Sequence, residues 1–271
     1  MTTKIIMCGA GGRMGHAILR CAAEDEAFSI GGGIEAPGHP MAGQEIGPLI
    51  GALDVKEKIV TDPDEIDISG PAATIHFSAP EATLEQLNWS KNHDIPAVIG
   101  TTGFNMDQRE QIRKVSETLP VVLAPNMSVG VNTLFRLVRE AARILDEEYD
   151  VEITEIHHRF KKDSPSGTAR RLGEIVAEER GSIYEDLVVD GRSGMVGERP
   201  KGEIGMHALR GGDVVGEHTV NFVTMGQRLE LTHRAHNRDN FARGSLQAAE
   251  WLQGRDAGLY DMEDVLGLKS L

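Results

Sequence analysis

The segment EIHHRFKKDSPSGTARRLGE, Glu155 to Glu174, sets two histidines, two lysines and an arginine into six consecutive positions of an acidic chain. Cations placed side by side repel one another unless an anion joins them. A charge run is most often a solvated face, but this one continues into SPSGTA, where Pro165 and Ser166 read as the start of a helix. Gly167 and Thr168 would then offer backbone N–H groups and a hydroxyl to an anion at that helix N-terminus. The expected ligand is a small anion, a carboxylate. The same segment holds groups fit for proton transfer, because a lysine carries a proton at neutral pH and a histidine does so in part. Residue types alone leave His157 and Lys161 both open as the donor.

A second constellation lies at the other end of the chain. The apolar run KIIMC (Lys4 to Cys8) passes directly into GAGGRMG, with glycines at Gly9, Gly11, Gly12 and Gly15, and then into a helix-like stretch from His16 to Glu26. The spacing is G-x-x-G-x-x-G. A turn of this kind lets backbone N–H groups approach a pyrophosphate at a helix N-terminus, and Arg13 could add a charge. An ordinary tight turn is the alternative. The strand-like run Ala27 to Ala36 then places Glu35 where an acidic residue accepts hydrogen bonds from an adenosine ribose. A dinucleotide is therefore expected. Ala36 offers no cation to a 2′-phosphate and Glu35 would repel one, so NADH is expected in preference to NADPH. GTTGF (Gly100 to Phe104) follows another short strand, at the sheet edge where ligands of open α/β folds bind.

These groups need scaffolding. Short apolar runs at 73–78, 97–100 and 121–124 alternate with helical stretches Pro80 to Asn92 and Asn105 to Thr118, the pattern of a parallel sheet flanked by helices. After APNMSVGVN (Ala124 to Asn132), a possible hinge, Val131 to Glu147 has helical spacing, VEITEIHH reads as a strand and Ser166 to Glu179 as a helix. Three strand-like runs between Ile204 and Ala235 predict antiparallel or mixed pairing. Asp239 or Asn240 would cap a last helix carrying Ala242, Leu246, Ala249 and Leu252. The fold class is thus α/β: a Rossmann-type dinucleotide-binding domain over 1–127 and 238–271, and an α+β domain with a mixed or antiparallel sheet over 128–237. The Gly-rich loop Asp190 to Glu203 suggests a mobile lid or an oligomer arm.

Composition narrows the class. The 271 residues carry a formal net charge of −14, which argues against nucleic-acid and anionic-membrane binding. No run approaches the roughly 18 apolar residues of a membrane span, and the N-terminus lacks a secretory pattern. Cys8 and Cys21 form no metal or redox spacing, and the remaining histidines no ligand set, so a metal-free, soluble, cytoplasmic protein is expected.

GAGGRMG, GTTGF, APNMSVGVN, EIHHRFKKDSPSGTA and GEHTVNF with LELTHRA, in this order, resemble the 4-hydroxy-tetrahydrodipicolinate (dihydrodipicolinate) reductases over essentially the whole chain. The resemblance implies NAD(P)H-dependent reduction of a cyclic dicarboxylate to tetrahydrodipicolinate in lysine and diaminopimelate biosynthesis, by a homotetramer. It implies His157 as acid/base, Lys161 as proton donor, and His158, Gly167 and Thr168 as substrate contacts. It places the cofactor against Gly9, Ala10, Gly11, Gly12, Arg13, Met14, Glu35, Gly100, Thr101, Thr102, Ala124, Pro125, Asn126 and Met127. NADPH remains possible under it, although many relatives carry arginine where Ala36 stands. Phe160 also replaces a residue that is often polar. Two rival readings are a different two-domain NAD(P)-dependent dehydrogenase and a non-catalytic dinucleotide sensor; the sensor would not need His157, His158 and Lys161 together.

Overall fold

The structure is a computed structural model and describes residues 2–270. Its strands are β1 (Thr3–Cys8), β2 (Phe28–Ile34), β3 (Ile59–Val60), β4 (Ala72–His76), β5 (Ala97–Ile99), β6 (Pro120–Leu123), β7 (Asp150–His157), β8 (Val188–Asp190), β9 (Ile204–Arg210), β10 (Gly216–Thr224), β11 (Gln227–Ala235) and β12 (Gly258–Tyr260). The helices are α1 (Arg13–Ala23), α2 (Ile46–Ile50), α3 (Pro80–Asn92), α4 (Met106–Ser116), α5 (Val129–Ile144), α6 (Gly167–Glu179), α7 (Tyr184–Leu187), α8 (Asp239–Trp251) and α9 (Met262–Val265). The chain divides into two compact units, Met1–Val129 with Arg238–Leu271, and Gly130–Asn237.

The first unit is built on a parallel sheet in the order β3-β2-β1-β4-β5-β6-β12. Its central strands are apolar on both faces, as helices on both sides of a sheet require. Ile5, Met7, Ile75, Val98 and Val122 pack with α1 and α8 through Ile18, Cys21, Leu246 and Ala249. Ala97, Ile99 and Val121, the alternate positions, pack with Leu87, Ile112 and Val115 of α3 and α4. Read from the β3 edge, this is the doubly wound dinucleotide-binding order, with its switch point between β1 and β4.

Helix α1 starts at Arg13, three residues before the stretch the sequence suggests, and Gly12 is its extended N-cap. Two glycines permit this early start. Gly9 has φ +87°, and a side chain there would meet the Phe77 carbonyl at 2.4 Å. A Cβ on Gly15 would lie 2.4 Å from the Gly9 carbonyl oxygen and 2.7 Å from that of Ala10, so the helix can bed onto the turn only without one. At the other end of the unit, Arg238 is the N-cap of α8, and Asp239 lies inside its first turn. Of the two residues expected to cap the helix, Asp239 accepts from Arg20 at 2.5 Å and Asn240 accepts from the Phe241 amide at 2.8 Å.

The second unit carries a mixed sheet in the order β11-β10-β7-β9-β8. β10 runs antiparallel to β7 and β11, whereas β9 is parallel to β7 and β8. Strict alternation in β7 turns Val151, Ile153 and Glu155 to the buried face and Glu152 and Thr154 to the other. Val151, Ile153, Val220 and Phe222 meet Leu134 and Val138 of α5 and Leu172 and Val176 of α6. Phe222 is fully buried, a contribution of about 1.5–3 kcal/mol.

On the opposite face Glu152 accepts from Arg192, Arg199 and His207. Partial burial would raise its carboxyl, but those donors outweigh burial and hold it at about 2. Arg199 also bonds Asp150 and the Val151 and Glu203 carbonyls, so both arginines tie the loop between β8 and β9 to β7.

Gly15→Ala should lower stability by about 1–3 kcal/mol, because the new methyl meets backbone on two sides. Urea unfolding of the variant beside the parent checks it, and an unchanged midpoint would show that the turn has room to spare.

Candidate active site

The glycine turn after β1 and the chain leaving β4 border a cavity of about 580 Å³. Gly9, Gly11, Gly12, Glu35, Ser78 and Trp89 are among the residues lining it. The Glu35 carboxylate accepts from the Gly11 amide at 2.8 Å, which fixes it at the mouth of the turn. Arg13 is exposed and begins α1, whose first-turn N–H groups have no intrahelical acceptor. The Met14 side chain packs against the core, so its amide is what it can offer a ligand, and Ala10 is buried. A helix start with open N–H groups and an acceptor carboxylate beside the cavity fit a dinucleotide. Ala36 also lines the cavity, and so does His39, a histidine with no signal of its own in the sequence.

Further along the same sheet, Gly100 lies against the Phe77 ring. The Thr101 hydroxyl faces inward, accepting from the Ser78 amide at 3.1 Å and meeting Thr83 Oγ1 at 2.8 Å, so Thr101 holds two loops together. Thr102 is exposed. Thr101, Thr102, Phe104, Arg109 and Pro125 border a smaller hollow of about 140 Å³. Ala124 and Met127 are buried, Pro125 is exposed, and the Asn126 side chain accepts from the Ser128 amide at 2.9 Å.

In the second unit the buried face of the sheet changes character along β7. Beyond Val151 and Ile153 come Glu155 and His157, and across the ladder His218 stands opposite Glu155 and His233 opposite His218. Glu155 has no exposed surface. It accepts from His157 Nδ1 at 2.6 Å, from both terminal nitrogens of Arg210 at 2.8 and 2.9 Å, and from the Ser166 amide at 3.0 Å. Burial would raise the Glu155 carboxyl; the bonds from His157 and Arg210 outweigh it and hold the group at about 2. Ser166 caps α6 by accepting from the Ala169 amide, and its hydroxyl also meets His218 Nε2 at 3.0 Å. Burial, with the neighbouring His157 adding to it, pushes the His218 imidazole down to about 3, so it is neutral at physiological pH.

The remaining groups lie in the segment leading to α6. Lys161 Nζ donates to both carboxylate oxygens of Asp163 at 2.9 Å. That bond holds the Asp163 carboxyl below the usual carboxylate range. His158 packs against Phe160 with ring centroids 6.2 Å apart, and its buried Nδ1 makes no hydrogen bond among the described residues. Gly167, exposed, opens α6 with free space beside it, and Thr168 follows. Sequence reasoning omitted Glu155, Arg210, Ser166 and His218 from this site. The alternation of VEITEIHH already set Glu155 on the buried face, a signal that it needs partners; Arg210 and His218 come from other strands and leave no local trace.

A doubly wound nucleotide-binding sheet, joined in one chain to an α+β unit that backs a histidine with a buried carboxylate, defines the class of two-domain nicotinamide-dependent oxidoreductases. The dihydrodipicolinate reductase N-terminus profile matches residues 3–127 and the C-terminus profile residues 130–266. A 4-hydroxy-tetrahydrodipicolinate reductase of Syntrophotalea carbinolica is 49% identical over 266 residues, 98% of this chain and 99% of the relative, and one of Syntrophus aciditrophicus is 47% identical over 268 residues, with the same coverage. A dipicolinate-bound dihydrodipicolinate reductase from Paenisporosarcina shares the fold, with a TM-score of 0.75 at 22% identity, covering 96% of this chain and 98% of that one. The chain belongs to the dihydrodipicolinate reductase family.

The buried imidazole ties stability to pH. Unfolded, His218 takes a proton near pH 6.5, and folded only near pH 3, so its contribution is complete above pH 6.5 and is lost as pH falls toward 3. His76, buried in the first unit and also pushed down to about 3, acts with the same sign. Stability should fall by about 1.4 kcal/mol per pH unit for each such proton. Urea midpoints between pH 7 and pH 5 should drop in the parent and drop less in His218→Gln; equal slopes would show that His218 titrates alike in both states.

Proposed function

We propose that the chain reduces 4-hydroxy-tetrahydrodipicolinate, a cyclic dicarboxylate, to tetrahydrodipicolinate with a nicotinamide dinucleotide, within lysine and diaminopimelate biosynthesis. The observation that carries the reading is the polar end of the second unit's sheet, where carboxylate-backed His157 and the cap of α6 come together in a chain whose halves both match the family. Bound reduced nicotinamide supplies a hydride. Gly9 to Gly12 shape the turn with amides that already donate to Ile34, Glu35 and Gly9, and the Arg13 and Met14 amides that open α1 would hold its pyrophosphate, Glu35 its adenosine ribose, and the segments Gly100–Thr102 and Ala124–Met127 its remaining portion.

His158 and the Gly167–Thr168 start of α6 receive the substrate carboxylates. The Lys161–Asp163 pair is easily opened, because Asp163 is largely exposed and such pairs are worth about 0–1 kcal/mol. A substrate carboxylate therefore competes for the ammonium. Across the reaction the ring loses its hydroxyl as water, one ring carbon gains a hydride and the conjugated position gains a proton. Lys161, with His157 as acid/base, delivers that proton. The homotetramer and the cytoplasmic location, where the free cysteines Cys8 and Cys21 stay reduced, belong to the same reading.

Loss of absorbance at the reduced-nicotinamide band, on mixing the protein with the freshly made condensation product of aspartate semialdehyde and pyruvate, tests the reaction. Turnover is expected, and Lys161→Ala and His157→Ala should each lower kcat by roughly 10² to 10⁴. Near-normal turnover in both variants removes their roles. Cofactor binding without turnover returns the chain to the sensor reading.

Cofactor choice has a separate test. Glu35 repels a 2′-phosphate, so kcat/KM should be higher with NADH than with NADPH. Ala36→Arg supplies the missing cation and should raise kcat/KM for NADPH by at least about tenfold, the size of one charge-assisted bond. A parent that prefers NADPH would overturn the assignment of Glu35.

A further inference from the structure

Glu155 is the least accessible charged group at the polar end of the second unit, and neither the proton donor nor the substrate contacts account for its presence. We infer that it is the positioning residue of the acid/base histidine: it holds the proton of neutral His157 on Nδ1 and leaves Nε2 as the atom that exchanges a proton with substrate. The inference rests on the proposed role of His157 and assigns the atom and the support behind it.

The geometry supports this in three ways. A carboxylate offers about four lone-pair sites, and four donors occupy those of Glu155: His157 Nδ1, two nitrogens of Arg210 and the Ser166 amide. The carboxylate therefore cannot swing away from the imidazole. The 2.6 Å contact requires a hydrogen on Nδ1, because an ionised carboxylate only accepts. Nε2, by contrast, makes no hydrogen bond among the described residues, and Gly216 on the neighbouring strand keeps space open beside it; a Cβ there would lie 2.9 Å from Nε2. Arg210 bears the charge of Glu155 and also donates to the Asp163 carbonyl, which couples the imidazole support to the segment holding Lys161.

The first experiment is nitrogen-15 NMR of histidine-labelled protein, with the His157 signals assigned by their loss in His157→Gln. Neutral His157 should be the Nδ1–H tautomer; an Nε2–H tautomer overturns the inference. This reading needs no turnover, so failure of the reductase assignment leaves it standing. The second is Glu155→Gln, of nearly the same shape. Its kcat should fall at least about tenfold, but no further than the roughly 10² to 10⁴ of losing the acid itself. Its KM for the dinucleotide should be unchanged. The Nε2–H form of neutral His157 should appear in its nitrogen-15 spectrum. A fall in kcat with the tautomer unchanged would make Glu155 merely structural and overturn the inference, and if Glu155→Gln does not fold, the tautomer in the unaltered protein decides.

Discussion

A carboxylate without exposed surface cannot stay ionised in an apolar sheet face unless donors replace the water it has lost, and leaving one unpaired costs several kcal/mol. Glu155 meets that condition with donors from three places in the chain: its own strand through His157, β9 through Arg210, and the cap of α6 through Ser166. Satisfying one buried charge thus brings the histidine, the helix start and the Lys161 segment into one neighbourhood. The apolar part of the same sheet could form without it, because Val151, Ile153, Val220 and Phe222 need only α5 and α6.

The two units position their chemistry by different means. In the first, a parallel sheet ends its strands at one edge, and backbone supplies the donors; side-chain identity matters chiefly where it must be absent, at Gly9 and Gly15. Glu35 is the exception, a side-chain carboxylate held at the mouth of the turn by the Gly11 amide. In the second, side chains do the work, and Glu152, Glu155 and Lys161 are each held by groups of opposite charge. The first arrangement suits a ligand shared by many enzymes, and the second suits a substrate with its own charge pattern.

What the sequence disclosed follows from the range of the interactions. GAGGRMG and Glu35 were legible because turn, helix start and acidic residue fall within one βαβ unit. The helix start at the end of the His157 to Thr168 run was legible because Pro165, Ser166 and Gly167 are neighbours along the chain. β3, β8 and β12 escaped notice, being two or three residues long and defined by the strand beside them rather than by their own pattern. Arg210 and His218 escaped for the same reason at larger scale: pairing across β7 gives them their roles, and nothing near them in sequence marks it. Asp239, one of two residues expected to cap α8, accepts from Arg20, a partner 219 residues away that leaves no local trace.

Strand β7 carries Glu152 on one face and Glu155 on the other, each with its own arginines. A slip of one residue in pairing would exchange the two faces. Glu155 would then turn away from Arg210, and Glu152 would be driven among Leu172 and Val176 without Arg192 or Arg199. Charge on both sides makes a misaligned intermediate costly from either direction, so the strand that bears His157 is held in register by its ion pairs as well as by its apolar face.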